Sequence, residues 1–211
     1  MTGVRHHIPD PLLVAYVSGS LPQAYSLVVA THLSMCDDCR ARATAHEAVG
    51  GSILESCGTA DLSGGLRQRV FDMLDEPVIE TPRYERSGIF PAPVMEALGG
   101  LPPKWKSLGM GVRQSILSHD EGGSVRLLYI PGGQAVPDHG HNGLELTLVL
   151  QGAFRDETGR FGVGDLEVAD DALEHTPVAE DGVACICLAA TDAALRFRSL
   201  VPRLLQPIFR I

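Results

Sequence analysis

The chain has 211 residues, of which 45% are hydrophobic and 20% are charged, and its formal net charge is −9. These values are typical of a globular protein and disfavour direct binding to nucleic acid, because an acidic chain repels phosphate. The five cysteines are too few for a disulfide framework and fit a reducing compartment. Neither a signal peptide nor an apolar stretch long enough to span a membrane is recognised, so we expect a cytoplasmic protein.

Three helices are predicted near the N-terminus. Asp10 followed by Pro11 is typical of a helix start, and Gly19 is typical of the end of that helix. A second helix is predicted over about residues 22–35, and a third over about residues 37–50, where two glycines would end it. A helical bundle this small has little core of its own, so we expect a bound metal to stabilise it.

The junction between the second and third helices carries His32, Cys36 and Cys39. Thiolates and a neutral imidazole at these spacings are typical of a tetrahedral zinc site, and such a site contributes directly to folding. A surface Cys-x-x-Cys beside an unrelated histidine is the alternative. The added histidine four residues before the first cysteine favours zinc.

A fourth zinc ligand must come from elsewhere in the chain. A continuous helix would place His46 about 21 Å from His32, much farther than ligands of one zinc ion can lie apart. The N-terminal His6 and His7 are therefore the candidates. Either could also be an ordinary solvated histidine, and the residues alone leave this choice open.

An amphipathic helix is predicted after the bundle. One face of it carries the apolar residues Leu62, Leu66, Val70, Met73 and Leu74. Such a stripe usually packs against neighbouring helices of the same chain. The alternative is that it docks into the groove of a protein partner.

The composition changes after this helix. Residues 77–94 combine prolines with charged residues, which is typical of a linker between domains. Beyond it, short β-strands with glycine turns indicate a sandwich or a barrel. The clearest predicted strands cover residues 124–130, 144–150, 164–168 and 184–188. The predicted fold class is therefore multidomain, α followed by all-β.

A second metal site is predicted within the β region. His139 and His141 alternate onto one face of a strand, and the tight turn after them can return Glu145 beside them. His175 follows after a further hairpin. Three imidazoles and one carboxylate suit Zn²⁺, Mn, Fe or Ni.

These residues carry a resemblance to the cupin family. Gly133, His139, His141, Glu145 and Gly152 occupy every fixed position of the first cupin motif. The second motif is matched more loosely, with agreement at Gly164 and His175 and departures at Asp170, Ala172 and Ala179. The resemblance implies a cupin β-barrel with a metal site. The departures concern turn residues more than ligands, and they weaken the expectation of an inherited enzymatic activity.

The N-terminal His-x-x-x-Cys-x-x-Cys resembles that of zinc-binding anti-sigma factors, and its combination with a cupin resembles one family of them along essentially the whole chain. The resemblance implies His7 as the fourth zinc ligand. It implies that residues 1–76 form a zinc-binding anti-sigma domain, 77–94 a linker and 95–211 the cupin domain. The partner would be an extracytoplasmic-function sigma factor, released when the cupin senses an oxidative signal such as singlet oxygen or a derived hydroperoxide.

Two functions are compatible with these features. The first is an anti-sigma factor with two zinc sites, of which the cupin site could hold another divalent metal and respond to a small-molecule signal. The second is a metal-dependent cupin enzyme, a dioxygenase or isomerase, with a helical oligomerisation domain. No further titratable group stands out as a general base, so we assign no catalytic residue and expect a regulator.

Overall fold

The protein is described by a computed structural model. The ranges that it describes are 3–77, 82–120, 122–136, 139–140, 143–192 and 196–197. A helical N-terminal region is followed by antiparallel β-sheets, as the sequence predicts. Within these ranges, no helix combines the length and apolar character that a membrane crossing requires.

The helical region begins with three helices that match the predicted ones closely. The helices of the chain are α1 (Asp10–Val17), α2 (Gln23–Leu33), α3 (Asp37–Ser56), α4 (Leu66–Leu74) and α5 (Ala92–Ala97). The predicted end of the third helix near residue 50 is wrong, because α3 continues to Ser56. A glycine inside an exposed helix costs only about 1 kcal/mol relative to alanine, so Gly50 and Gly51 do not stop it.

The β region contains three antiparallel sheets among the described residues. The six strands of the largest sheet run in the order β1-β2-β3-β11-β5-β8, and two sheets of three strands run in the orders β10-β6-β7 and β12-β4-β9. The strands are β1 (Lys106–Gly109), β2 (Val112–Asp120), β3 (Gly123–Ile130), β4 (His139–Gly140), β5 (Glu145–Gln151), β6 (Ala153–Arg155), β7 (Arg160–Gly162), β8 (Leu166–Ala169), β9 (Glu174–His175), β10 (Val178–Ala179), β11 (Cys185–Thr191) and β12 (Arg196–Phe197).

Strand β5 shows how the largest sheet separates two apolar clusters. Its alternate residues Leu146, Leu148 and Leu150 pack in a cluster that also contains residues of the helices. Val149, on the opposite face, belongs to a second cluster on the inner side of the sheets. Because both faces are buried, the strand is an almost continuous apolar run.

The helical region and the large sheet share one hydrophobic core. Val28 of α2 and Leu148 of β5 are fully buried in the same cluster, and Val94 of α5 is buried there as well. The hydroxyl of Tyr25 on α2 donates a hydrogen bond of 2.7 Å to the carbonyl oxygen of Leu144. The last residues of the predicted linker therefore pack into this core.

Helix α4 lies outside this shared core. None of its residues is buried, and Val70 and Leu74 are 50% and 71% exposed. Met73 and the neighbouring Phe71 are also exposed. Leu62 is exposed too, but it precedes α4 in an irregular segment, so the prediction that it lies on this helix is wrong. The first of the two predicted alternatives, in which the apolar stripe packs against the other helices, is not what the structure shows.

Candidate metal centres

The first candidate metal centre joins the irregular N-terminal segment, residues 3–9, to the junction of α2 and α3. His7, His32, Cys36 and Cys39 each offer one ligand atom, and these atoms all lie within 4.8 Å of one another. The Nδ1 atom of His7 lies 3.3 Å from the sulfur of Cys36 and 3.5 Å from that of Cys39. Tetrahedral zinc with bonds of about 2.0–2.3 Å holds its ligand atoms about 3.3–3.8 Å apart, so the arrangement fits this ion.

Burial around His32 supports the same conclusion. The ring is fully buried, and neither of its nitrogens has a hydrogen-bond partner among the described residues. Buried polar atoms without partners are costly, and a metal bond would satisfy one of these nitrogens. Burial lowers the pKa of His32 to about 4, which keeps the ring in the neutral form that binds metal.

The two thiols are held at the start of α3. Cys36 precedes the helix in an extended conformation, and Cys39 lies in its first turn. Burial raises the pKa of Cys39, while the nearby guanidinium of Arg42 lowers it. That guanidinium lies 3.9 Å from the sulfur and also forms an ion pair with Asp10. A positive charge beside a thiolate ligand favours its deprotonated form.

The remaining N-terminal candidates have other contacts. The ring of His6 packs on Phe161 with centroids 4.3 Å apart, and its Nε2 atom lies 3.2 Å from the carbonyl oxygen of Arg160. The Nε2 atom of His46 lies 3.6 Å from the Oδ1 atom of Asp10. The structure therefore brings His7, and neither His6 nor His46, to the two cysteines.

A second cluster lies inside the β region. Asp156, Glu167 and His175 offer ligand atoms that also lie within 4.8 Å of one another. The Nδ1 atom of His175 is 2.7 Å from Oδ2 of Asp156 and 3.3 Å from Oε1 of Glu167. All three side chains are almost completely removed from solvent.

Burial and hydrogen bonding act against each other in this cluster. Burial raises the pKa of Glu167 to about 8, although its hydrogen bond with His175 acts in the opposite direction. Burial lowers the pKa of His175, but the two carboxylates outweigh this effect and raise it to about 9. Burial also raises the pKa of Asp156, yet hydrogen bonds from its neighbours hold it below the usual range. The cluster thus favours a proton on the Nδ1 atom of His175.

The predicted cupin ligands are placed only in part. His139 pairs with His175 across strands β4 and β9, but its side chain and all of His141 lie outside the described residues. Glu145 begins β5, where its Oε1 atom accepts a hydrogen bond of 3.0 Å from the hydroxyl of Thr147. The set of four ligands stays a prediction.

Sequence reasoning missed Asp156 and Glu167. The only local signal for Glu167 is its position in the strand after Gly164 and Asp165, where alternate side chains face opposite sides. Asp156 follows β6 in a turn and has no comparable signal. Their proximity to His175 depends on strand pairing.

Comparison with known proteins gives a consistent result. Residues 102–194 match the family model of the ChrR cupin-like domain. The chain is 58% identical over 211 residues to the anti-sigma-E factor ChrR of Cereibacter sphaeroides, and the alignment covers 99% of both chains. The crystal structure of Rhodobacter sphaeroides SigE in complex with the anti-sigma ChrR contains a similar chain. It is 57% identical, with a TM-score of 0.80, over 90% of this chain and 99% of that one.

Proposed function

The chain belongs to the ChrR family of anti-sigma factors, and we propose that it binds an extracytoplasmic-function sigma factor and keeps it from RNA polymerase. The carrying observation is the 58% identity to an anti-sigma-E factor over 99% of both chains, which includes the helical region as well as the cupin. A partner of this kind works where transcription takes place, so we propose a cytoplasmic location.

The exposed face of α4 supports binding to a protein. Exposed apolar residues gathered on one helix face mark interaction surfaces, and Val70, Met73 and Leu74 form such a face. The net charge of −9 also suits a partner whose DNA-binding surface is basic. We therefore propose that the stripe from Leu62 to Leu74 contacts the sigma factor.

Binding measurements with a charge placed on either face of α4 test this proposal. The purified chain is titrated with SigE, the partner of the related ChrR, by calorimetry. Val70→Asp places a carboxylate on the apolar face and should weaken binding at least about tenfold, because an interface would bury the charge unpaired. Gln68→Asp adds the same charge to the opposite face and should change affinity less than about twofold. Equal affinities for both variants would refute the assignment of the surface.

We also propose that His7, His32, Cys36 and Cys39 hold a structural zinc ion. All four ligand positions are filled by the protein, which is typical of structural and not catalytic zinc. Loss of the ion would leave the metal-binding nitrogen of His32 buried without a partner, at a cost of about 1–3 kcal/mol.

Matched cysteine variants test the zinc proposal. Cys39→Ser should lose the ion from this site and lower the melting temperature by roughly 6–12 °C, since about 3 kcal/mol is lost from a cooperative unit of this size. Cys57→Ser makes the same chemical change at an exposed cysteine and should alter neither property. Zinc analysis and thermal unfolding under reducing conditions give both readouts. Retention of the full wild-type zinc content by Cys39→Ser at wild-type stability would exclude the site.

For the cupin we propose a metal site formed by His139, His141, Glu145 and His175 that responds to an oxidative signal. The family membership supports this role, as do the polar groups gathered around His175. The signal would be singlet oxygen or a derived hydroperoxide. Glu145→Ala should leave affinity for SigE unchanged but abolish its release when the complex is treated with an organic hydroperoxide. Release equal to that of the wild type would refute a sensory role for Glu145.

We propose a regulator and not an enzyme. The similarity to an anti-sigma factor over the whole chain favours this choice, whereas a cupin fold alone is compatible with either. Metal analysis separates the two functions. Zinc in both sites without turnover supports the regulator, and iron or manganese in the cupin with uptake of oxygen would support a dioxygenase.

A further inference from the structure

The turn between β7 and β8 binds the backbone of the N-terminal segment, residues 3–9. The Oδ1 atom of Asp165 accepts hydrogen bonds from the N–H groups of Arg5 (2.6 Å) and His6 (2.9 Å). The N–H group of Leu166 in turn donates to the carbonyl oxygen of His6 at 3.1 Å. Three backbone polar groups of the segment that leads into His7 are therefore bound by one turn of the barrel.

The same turn has a shape that accommodates this segment closely. The Oδ2 atom of Asp165 accepts a hydrogen bond of 2.8 Å from the N–H group of Gly162. The carboxylate therefore links the turn to the N-terminal segment. Gly164 has a φ of +90°, and a Cβ atom there would lie 2.7 Å from Val4. Only glycine permits this close approach. Asp165 is 4% exposed, so its hydrogen bonds are sheltered from water.

The contact reaches the proposed zinc site through His7 and through Met35, a neighbour of its ligand Cys36. His7 directly follows His6, and its ring is the group that approaches both sulfurs. Met35, between His32 and Cys36, lies 3.9 Å from the same Cβ position. The turn thus borders the site on the side from which His7 enters.

We propose that this turn is a clamp by which the barrel fixes His7 in the zinc site. Two positions after Asp165, strand β8 carries Glu167, whose Oε1 atom lies 3.3 Å from Nδ1 of His175. A rearrangement around His175 would therefore be transmitted along β8 to the clamp and would loosen the zinc ligand. This inference rests on the proposed zinc site and is independent of the sigma factor.

Two pairs of variants of the full-length protein test the clamp from its two sides. Arg5→Pro removes the N–H group that Asp165 binds, while Arg5→Ala removes the same exposed side chain and keeps that group. Asp165→Ala removes the carboxylate that binds the N-terminal segment. Its control, Asp170→Ala, removes a carboxylate that accepts a hydrogen bond from the N–H group of Ala172 in another turn. Two readouts are followed for each zinc-loaded variant. They are the rate of zinc transfer to a chromogenic chelator and the rate at which Cys36 and Cys39 react with iodoacetamide.

Arg5→Pro and Asp165→Ala should raise both rates about ten- to 150-fold, which is the effect of losing a sheltered hydrogen bond to a charged group. Their matched controls should stay within about twofold of the wild type. Should Asp165→Ala fail to fold, as judged by circular dichroism, the Arg5 pair decides, since neither variant alters the barrel. Zinc-loaded wild type with equal rates in Arg5→Pro and Arg5→Ala would overturn the clamp alone. A wild type without zinc would overturn the zinc site and the clamp together.

Discussion

Asp156→Asn should weaken metal binding in the cupin, because it reverses the hydrogen bond that orients His175. The Oδ1 atom of Asp156 accepts three bonds, from the N–H and hydroxyl groups of Thr158 and from the N–H group of Gly159. An asparagine must place its amide oxygen there to keep them. Its NH₂ group then takes the place of Oδ2, which lies 2.7 Å from Nδ1 of His175. An NH₂ group donates and does not accept, so the proton of His175 must move to Nε2 or the ring must turn.

The size of the effect follows from the burial of this pair. The side chains of Asp156 and His175 are 0% and 1% exposed, so solvent cannot replace the lost bond. A buried hydrogen bond to a charged group is worth about 1.5–3 kcal/mol. Loss of the partner that orients a metal-binding histidine lowers affinity about 10- to 100-fold. Glu167 is the remaining acceptor, and its longer distance of 3.3 Å makes it a poorer one.

Competition with a chelator measures this loss directly. We expect wild type to bind two metal ions per chain, so that the proposed N-terminal site serves as an internal reference. Asp156→Asn should release one of them at a chelator concentration about 10- to 100-fold lower than wild type requires. Asp170→Asn, at an exposed turn residue near the same end of the barrel, is the control and should behave as wild type. Unchanged affinity of the barrel site in Asp156→Asn would refute the orienting role.

Three further predictions concern stability. Hydrogen bonds from the two arginines of β6 and β7 lower the pKa of Glu180 to about 2, so its contribution is complete above the unfolded value and is lost as the pH falls. Glu180→Gln should therefore cost at most about 1 kcal/mol in urea unfolding at neutral pH, and this difference should shrink as the pH falls from about 5 to about 2. Tyr25→Phe should cost about 1–3 kcal/mol in the same assay, because the carbonyl of Leu144 loses its buried donor. Leu148→Ala should cost about 2–5 kcal/mol and lower helical and β signals together in thermal unfolding, since the two regions share its core.

The N-terminal site shows what local spacing can and cannot predict. His32, Cys36 and Cys39 lie at a helix junction, where positions close in sequence are also close in space. The choice between His6 and His7 is different, because the segment that carries them is placed by contacts with the distant β7–β8 turn. In the docked segment the ring of His6 packs on Phe161, whereas the ring of His7 reaches both cysteines. Family resemblance, and not spacing, separated the two candidates.

Sequence patterns predict the cluster in the cupin even less well. Asp156, Glu167 and His175 come from three separate segments, and their meeting point is set by the register between strands. A shift of one residue in that register would turn Glu167 to the opposite face of the sheet. A pattern of alternating residues cannot supply the register, so it indicates a barrel without identifying the groups that meet inside it.

The shared core includes α2, which leads to the proposed zinc site, but it does not include α4, which carries the proposed surface for the sigma factor. Val28 and Val29 are adjacent on α2 and both fully buried, so this helix is covered on more than one side, by its neighbouring helices and by the large sheet. Under the proposed clamp, a change inside the barrel would act on the proposed zinc ligands at the end of α2. The apolar face of α4 has no part in this core and stays open to a partner. Because the two regions are physically separate, substitutions on α4 should alter binding without altering zinc retention, and substitutions at the clamp should alter zinc retention first.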